Sequence, residues 1–178
     1  VLHLQGDLKA GEVVLPEFSV TATENALLAA ALLPGESVIR LAAAEPHVQE
    51  VSKLVQNMGA EVDGIGTHDL TIRGKKDLAC CEHTVTFDYL EAGALAIAGL
   101  VTRGKLRLHG VDRMHLLSFI DGLRRLGAEL SFQEDGKVLL VDGELSSFKA
   151  TEIRTNIFPG FPTDLQAPTG VLMTQANG

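Results

Sequence analysis

A short alternating segment closed by glycine recurs along this chain at a nearly constant step. It reads Leu2-His3-Leu4-Gln5-Gly6, then Leu70-Thr71-Ile72-Arg73-Gly74, then Leu139-Leu140-Val141-Asp142-Gly143, and its glycines are 68 and 69 residues apart. Gly35, after one apolar run, answers Gly104 after the next; Gly59-Ala60-Glu61 answers Gly127-Ala128-Glu129. Independent landmarks on one spacing identify a structural repeat, and a repeat narrows the fold more than composition can.

Each copy reads in one order. An extended run (Glu12 to Phe18; Thr84 to Phe87) leads into a first helix (Thr23 to Leu33; Leu90 to Val101), and a β-rich run follows (Ser37 to Leu41; Lys105 to Leu108). A second helix then carries apolar residues at helical spacing. These are Val48, Val51, Leu54, Val55 and Met58 in the first copy, with Pro46 near the start and Gly59 as the stop. They are Leu116, Leu117, Ile120, Leu123 and Leu126 in the second, stopped by Gly127. Two short strands close the unit (Ala60 to Gly64 and Asp69 to Ile72; Ala128 to Phe132 and Lys137 to Val141), giving βαβαββ. A third copy opens at about Thr151 and stops after one helix, Leu165 to Thr174. With no Met at the start, the chain is expected to be a piece of a longer protein.

The first helix of each copy is unusual. Ala26 to Leu33 is apolar on every side, and Ala92 to Val101 has no charged residue. A helix apolar all round is expected to be buried all round, which predicts sheets outside and helices within.

Composition excludes several classes. A net charge of −8 does not suit a nucleic-acid track, although a local site for a small anion remains possible. The longest apolar run, Ala26 to Leu33, is far shorter than the roughly 18 residues of a membrane span. Cys80 and Cys81 are the only cysteines and are neighbours, so no disulfide framework is expected, and the compartment reads as reducing and cytoplasmic. Strand packing is their expected role. The six histidines form no helical pair and no cluster with Cys or Asp, so no metal site is expected.

Two segments place hydroxyls where an extended run turns into a first helix. One is Phe18-Ser19-Val20-Thr21-Ala22-Thr23-Glu24-Asn25-Ala26; the other is Phe158-Pro159-Gly160-Phe161-Pro162-Thr163-Asp164-Leu165-Gln166-Ala167-Pro168. Free amides and the helix dipole there favour an anion. Plain helix capping, by Thr21 or Thr23 and by Thr163 or Asp164, explains the same residues equally well.

With the repeat and the alanine-rich helices, these strings resemble the UDP-N-acetylglucosamine 1-carboxyvinyltransferases, the enolpyruvyl transferases that open peptidoglycan precursor synthesis. The resemblance covers nearly the whole chain and rests on Ser19-Val20, Ala22-Thr23-Glu24-Asn25, Phe161-Pro162-Thr163-Asp164 and Gln166-Ala167. It implies an α/β fold of βαβαββ units forming an inside-out αβ barrel pair, six units in two domains. Residues 1–86 would be the last unit of the first domain; residues 87–178 would be the first unit, and the start of the next, of the second domain. It implies UDP-N-acetylglucosamine contacts at Phe18, Ser19, Val20, Thr21 and Asp164. Asp164 would be the general base for the sugar 3′-hydroxyl, with orienting that hydroxyl or binding the tetrahedral intermediate as the rival role. The substrates would be UDP-N-acetylglucosamine and phosphoenolpyruvate, with no cofactor, no nucleic acid and no membrane.

Thr21 stands where glycine is common in that family, and Tyr89 where arginine is usual. The family's loop cysteine and its phosphoenolpyruvate-gripping lysine and arginines have no counterpart in these residues, so the chain alone is expected to lack transferase activity. Its cut barrel is expected to self-associate through apolar helix faces. The alternatives are a shikimate-type enolpyruvyl transferase or an RNA-end cyclase of the same fold, or a non-catalytic repeat scaffold.

Gly64-Ile65-Gly66 reads as a hairpin turn and Gly74-Lys75-Lys76 is no phosphate loop. Arg113, Arg124 and Arg125 read as a solvated helix face, and Glu24, Glu45 and Glu91 as helix-start residues explained by capping and the dipole.

Overall fold

A computed structural model of the chain describes residue 3 and residues 6–178. The first repeat mark, Leu2 to Gly6, therefore lies largely outside the described residues. The chain divides into two compact units, Val1–Thr86 and Phe87–Gly178.

The first unit runs β1 (Glu12–Val14), α1 (Val20–Ala31), β2 (Gly35–Arg40), α2 (Pro46–Asn57), β3 (Glu61–Asp63) and β4 (Asp69–Gly74). Its sheet has the order β1-β2-β4-β3; β1 is parallel to β2 across the α1 crossover, and the other pairs are antiparallel. β1 is shorter than the extended run in the sequence, because Pro16 has no N–H to continue the ladder. Strand alternation sends Ile39, Leu70, Ile72 and Val62 to one face, where they meet Leu27, Ala30 and Ala31 of α1 and Val55 of α2. The opposite face carries cross-strand ion pairs. Arg73 meets Glu36 at 3.0 Å and Asp63 at 2.9 Å; Arg40 meets Glu12 at 2.7 Å and Asp69 at 3.3 Å. Both guanidiniums are held above the usual arginine value, Arg73 chiefly by its bond to Asp63 and Arg40 chiefly by its bond to Glu12. One face of the sheet thus carries charge and the other packs on the helices.

The second unit runs α3 (Tyr89–Val101), β5 (Lys105–His109), α4 (Arg113–Leu126), β6 (Glu129–Gln133), β7 (Val138–Asp142) and α5 (Gln166–Met173), with sheet order β5-β7-β6. Ala96 and Leu100 of α3 and Leu116, Phe119, Ile120 and Leu123 of α4 pack on Leu130, Leu139 and Val141. Each such large aliphatic side chain contributes on the order of 1.5–3 kcal/mol by leaving water. No barrel closes among the described residues.

The closing glycines of the repeat have a direct cause. A Cβ on Gly74 would overlap the carbonyl oxygens of Ala30, Ala31 and Leu33, and one on Gly143 would meet the Gly99 carbonyl and Arg103 backbone. In both units the last strand ends against the C-terminus of the first helix, where only a bare backbone fits. The amide of Lys75 caps the Ala31 carbonyl at 3.0 Å.

Several sequence expectations need correction. The strand expected at Thr84 to Phe87 does not form: the segment is irregular chain that joins no described ladder, and Val85 is 78% exposed. The cysteines do not pack in a strand: they lie in irregular chain, Cys80 exposed and Cys81 half-buried. α1 begins at Val20, three residues before the expected start, because Ser19 caps it. α1 and α3 are not buried all round. Leu28 is 49%, Leu32 54% and Leu95 47% exposed. A groove of about 430 Å³ beside α1 is lined by Leu28, Leu32, Leu54, Met58 and Leu78 among others. α5 starts at Gln166, which places Pro168 in the first turn, where its missing N–H costs nothing. The Gly64–Gly66 segment forms the β3–β4 turn with both glycines at positive φ, as the hairpin reading requires.

Candidate substrate-binding site

In the first unit, Phe18 to Thr21 form the entry to α1. The Ser19 hydroxyl accepts from the Ala22 amide at 3.3 Å, so Ser19, not Thr21 or Thr23, is the cap. Its hydroxyl and that of the exposed Thr21 are 3.4 Å apart. First-turn amides such as those of Val20 and Thr21 have no helical acceptor, so the local field favours an anion.

Thr23 has another task. It is fully buried, donates its hydroxyl to the Ser19 carbonyl at 2.7 Å and accepts the Ala43 amide at 2.9 Å. The loop between β2 and α2 is thereby stitched to the first turn of α1. His68, on the β3–β4 turn, donates Nδ1 to the Ala42 carbonyl at 2.8 Å and lies 4.4 Å from the Phe18 ring. Gln49 of α2 donates to the Ala44 carbonyl at 2.8 Å. Phe18, Ser19, the 41–45 loop and His68 thus form one corner of the unit. Sequence reasoning missed His68 and the role of Thr23. The available signal was Thr23 itself, a polar residue on the face that the apolar pattern sends to the core.

Glu45 stands at the cap position of α2 but makes no capping bond, so the capping explanation fails for it. Asp88, not Glu91, caps α3, through the amides of Leu90 and Glu91. The solvated-face reading of the α4 arginines holds with one addition: Arg124 is exposed yet donates to the Leu130 carbonyl at 2.7 Å.

In the second unit, Phe161-Pro162-Thr163-Asp164-Leu165 is a turn anchored at both ends. Phe161 is buried 5.5 Å from the Phe119 ring, and Leu165 is buried with its carbonyl bonded to the Thr169 hydroxyl at 2.6 Å. Between the anchors, Thr163 and Asp164 sit exposed in a 3-10 turn, Thr163–Leu165. Neither that turn nor α5 has a side-chain cap, so capping does not account for Thr163 or Asp164. The Asp164 carboxylate is left open to solvent.

No group of three or more His, Cys, Asp or Glu among the described residues could hold a metal. No described helix is long and apolar enough to cross a membrane. The groove beside α1 and a second of about 460 Å³ on the outer face of the β5-β7-β6 sheet, near Lys105 and Leu145, do not contain Phe18 to Thr21 or Asp164.

Known proteins match this arrangement over almost its full length. The chain is 39% identical over 171 residues to UDP-N-acetylglucosamine 1-carboxyvinyltransferase 1 of Staphylococcus aureus (strain N315), covering 96% of this chain and 40% of that protein. It is 39% identical over 176 residues to UDP-N-acetylglucosamine 1-carboxyvinyltransferase of Granulibacter bethesdensis, covering 99% of this chain and 41% of that one. The chain therefore spans about two-fifths of the length of these curated relatives. The crystal structure of the enolpyruvyl transferase NikO from Streptomyces tendae superposes with a TM-score of 0.82 at 19% identity, covering 96% of this chain and 43% of that chain, which establishes the fold. The family described as EPSP synthase (3-phosphoshikimate 1-carboxyvinyltransferase) matches residues 3–178. With the βαβαββ unit, its apolar first helix and this match in agreement, the chain belongs to the EPSP synthase family.

Proposed function

We propose that this chain is the part of an enolpyruvyl transferase that holds UDP-N-acetylglucosamine. Residues 1–86 supply the last repeat unit of the first domain, and residues 87–178 the first unit of the second and the start of the next. The observation that carries this reading is the 39% identity to relatives bearing that substrate in their names. In the proposed reaction phosphoenolpyruvate is protonated at C3 and the sugar 3′-hydroxyl adds to C2. The tetrahedral intermediate then loses phosphate and a proton to leave the enolpyruvyl ether, the first committed product of peptidoglycan precursor synthesis. Cell-wall biogenesis, and with it cell shape and division, follows from that step.

Each named residue has a task its position can support. Phe18, Ser19, Val20 and Thr21 meet the nucleotide sugar at the N-terminus of α1, where the Ser19 and Thr21 hydroxyls lie together. Asp164, open to solvent on an anchored turn, accepts the proton of the 3′-hydroxyl as it attacks. We place the reaction in the cytoplasm, a reading supported by two unbridged cysteines. Self-association through the exposed apolar sides of α1 and α3 is part of the same reading.

The family description favours a second reading, in which the acceptor is 3-phosphoshikimate. Calorimetry with this chain separates the two. Heat with UDP-N-acetylglucosamine and none with 3-phosphoshikimate is expected; the reverse pattern overturns the proposal, and silence with both favours a scaffold.

A further inference from the structure

The two anchors on either side of Asp164 each seat against a helix at a glycine. A Cβ on Gly93, in the interior of α3, would collide with the Leu165 side chain. One on Gly122, in the interior of α4, would stand 3.0 Å from the Phe161 ring, closer than unstrained carbon atoms pack. Both glycines are buried, and neither has a positive φ that would call for glycine. Apart from proline, glycine is the least favourable residue in a helix interior, because its backbone loses the most freedom there. The corresponding helices of the first unit, α1 and α2, contain none. Five residues after its cap α1 has Glu24, where α3 has Gly93. What Gly93 and Gly122 share is the turn they admit. Its backbone is held as well: the Phe161 carbonyl accepts the Asn156 amide at 3.0 Å, and the Leu165 carbonyl accepts the Thr169 hydroxyl at 2.6 Å.

We propose that Gly93 and Gly122 are positioning residues for Asp164. Their bare backbones let Leu165 and Phe161 seat at a fixed depth against α3 and α4, and that depth sets where the Asp164 carboxylate stands. This rests on the reading that Asp164 takes the proton of the sugar 3′-hydroxyl. Asp164 is exposed and caps neither its own turn nor α5, so its place is set through the backbone and the anchors on each side. A proton passes only over hydrogen-bond distance, and a misplacement of about 1 Å costs about a hundredfold in rate. The two contacts differ in tightness. A methyl group at Gly93 overlaps Leu165 outright, whereas at Gly122 the Phe161 ring need yield only a few tenths of an ångström. Gly93 therefore has the larger influence on the turn.

The test measures kcat and KM for UDP-N-acetylglucosamine in the whole enzyme carrying Gly93→Ala, Gly122→Ala or Gly99→Ala, with thermal melts to establish that each is folded. Gly99 is the control, since its Cβ would press on Leu106 and Val141 of the sheet and not on the turn. Gly93→Ala is expected to lower kcat about 10- to 100-fold with KM little changed, and Gly122→Ala to lower it less. Gly99→Ala is expected to lower the melting temperature while keeping kcat within about twofold. Adding Leu165→Val to Gly93→Ala takes away as much side chain as was added and is expected to restore most of kcat. On an Asp164→Asn background, Gly93→Ala is expected to lower kcat no further, because both changes act through one carboxylate. A folded Gly93→Ala enzyme with unchanged kcat overturns the proposal. So does a loss that Gly99→Ala matches, or one that is the same with and without the Asp164 carboxylate. If Gly93→Ala does not fold, Gly122→Ala is judged by the same criteria. If Asp164→Asn alone keeps the kcat of the unmodified enzyme, the reading of Asp164 as the base fails and this inference falls with it. If Asp164→Asn is slow and the glycine variants are not, this inference alone fails.

Discussion

Thr23 and Ala43, twenty residues apart, are joined by a 2.9 Å hydrogen bond from the Ala43 amide to a hydroxyl that is completely buried. The same hydroxyl donates to the Ser19 carbonyl at 2.7 Å, so one side chain fixes both the entry of α1 and the loop that precedes α2. Thr23→Val keeps the shape and removes both bonds. The change leaves a buried amide unpaired and is expected to cost about 1–3 kcal/mol. Amide hydrogen exchange at Ala43 is expected to accelerate, while Thr23→Ser retains protection. Equal protection in the valine variant would show that the stitch is unimportant.

The two helix-stop glycines are not equivalent, although they occupy the same place in the repeat. Gly59 at φ +109° has open space where a Cβ would sit; Gly127 at φ +100° would press a Cβ into the Ser147 carbonyl. Gly59→Ala is expected to cost about 1–2 kcal/mol for the left-handed backbone alone. Gly127→Ala is expected to cost clearly more, since the 146–148 segment must shift. Urea denaturation of the two variants measures the difference, and equal midpoints contradict the asymmetry.

Asp112 caps α4 through the Met114 amide at 2.9 Å. That bond lowers its carboxyl below the ordinary value, aided by Lys137 and opposed by partial burial. A lowered folded pKa means stability that is present above the ordinary value of 3.8 and is lost as pH falls through the folded value. Asp112→Ala is therefore expected to cost about 1 kcal/mol near neutral pH and progressively less in acid. Melts from pH 7 downward check this; a difference that stays constant below the carboxylate range would refute it.

Asp164 is exposed and caps neither the 3-10 turn nor α5, so its removal has little to unmake. In the whole enzyme, Asp164→Asn is expected to shift stability by under about 0.5 kcal/mol while lowering kcat about 10²- to 10⁴-fold. A loss carried wholly by KM would favour an orienting role over proton transfer.

Leu28 and Leu32 leave an apolar stripe on α1. Sedimentation of the chain is expected to show concentration-dependent association, relieved by the double change Leu28→Glu and Leu32→Glu. A profile that is monomeric at all concentrations would remove this prediction.

Much of the fold was legible because it rests on local periodicity. The spacing of Leu116, Ile120 and Leu123 made α4, and the Gly64–Gly66 pair made a turn, with no tertiary information needed. Strand existence was less legible. Val85 and its neighbours have β-formers, but a strand exists only where a partner's backbone accepts it, and none does among the described residues. Caps were misplaced for a related reason. Ser19, Thr21 and Thr23 are equal candidates in one dimension, and only the position of Ala43 sends Thr23 inward and leaves Ser19 to cap.

The repeat, the order of elements within it and the glycines that close it can be read along the chain, because each is a property of spacing. Which side chains have partners depends on the packed fold. It turned Thr23 into a stitch, brought His68 to Phe18, put the cysteines in irregular chain and left Glu45 with a sealed oxygen. Hydrogen bonding and burial depend on residues distant along the chain, so no local pattern encodes them.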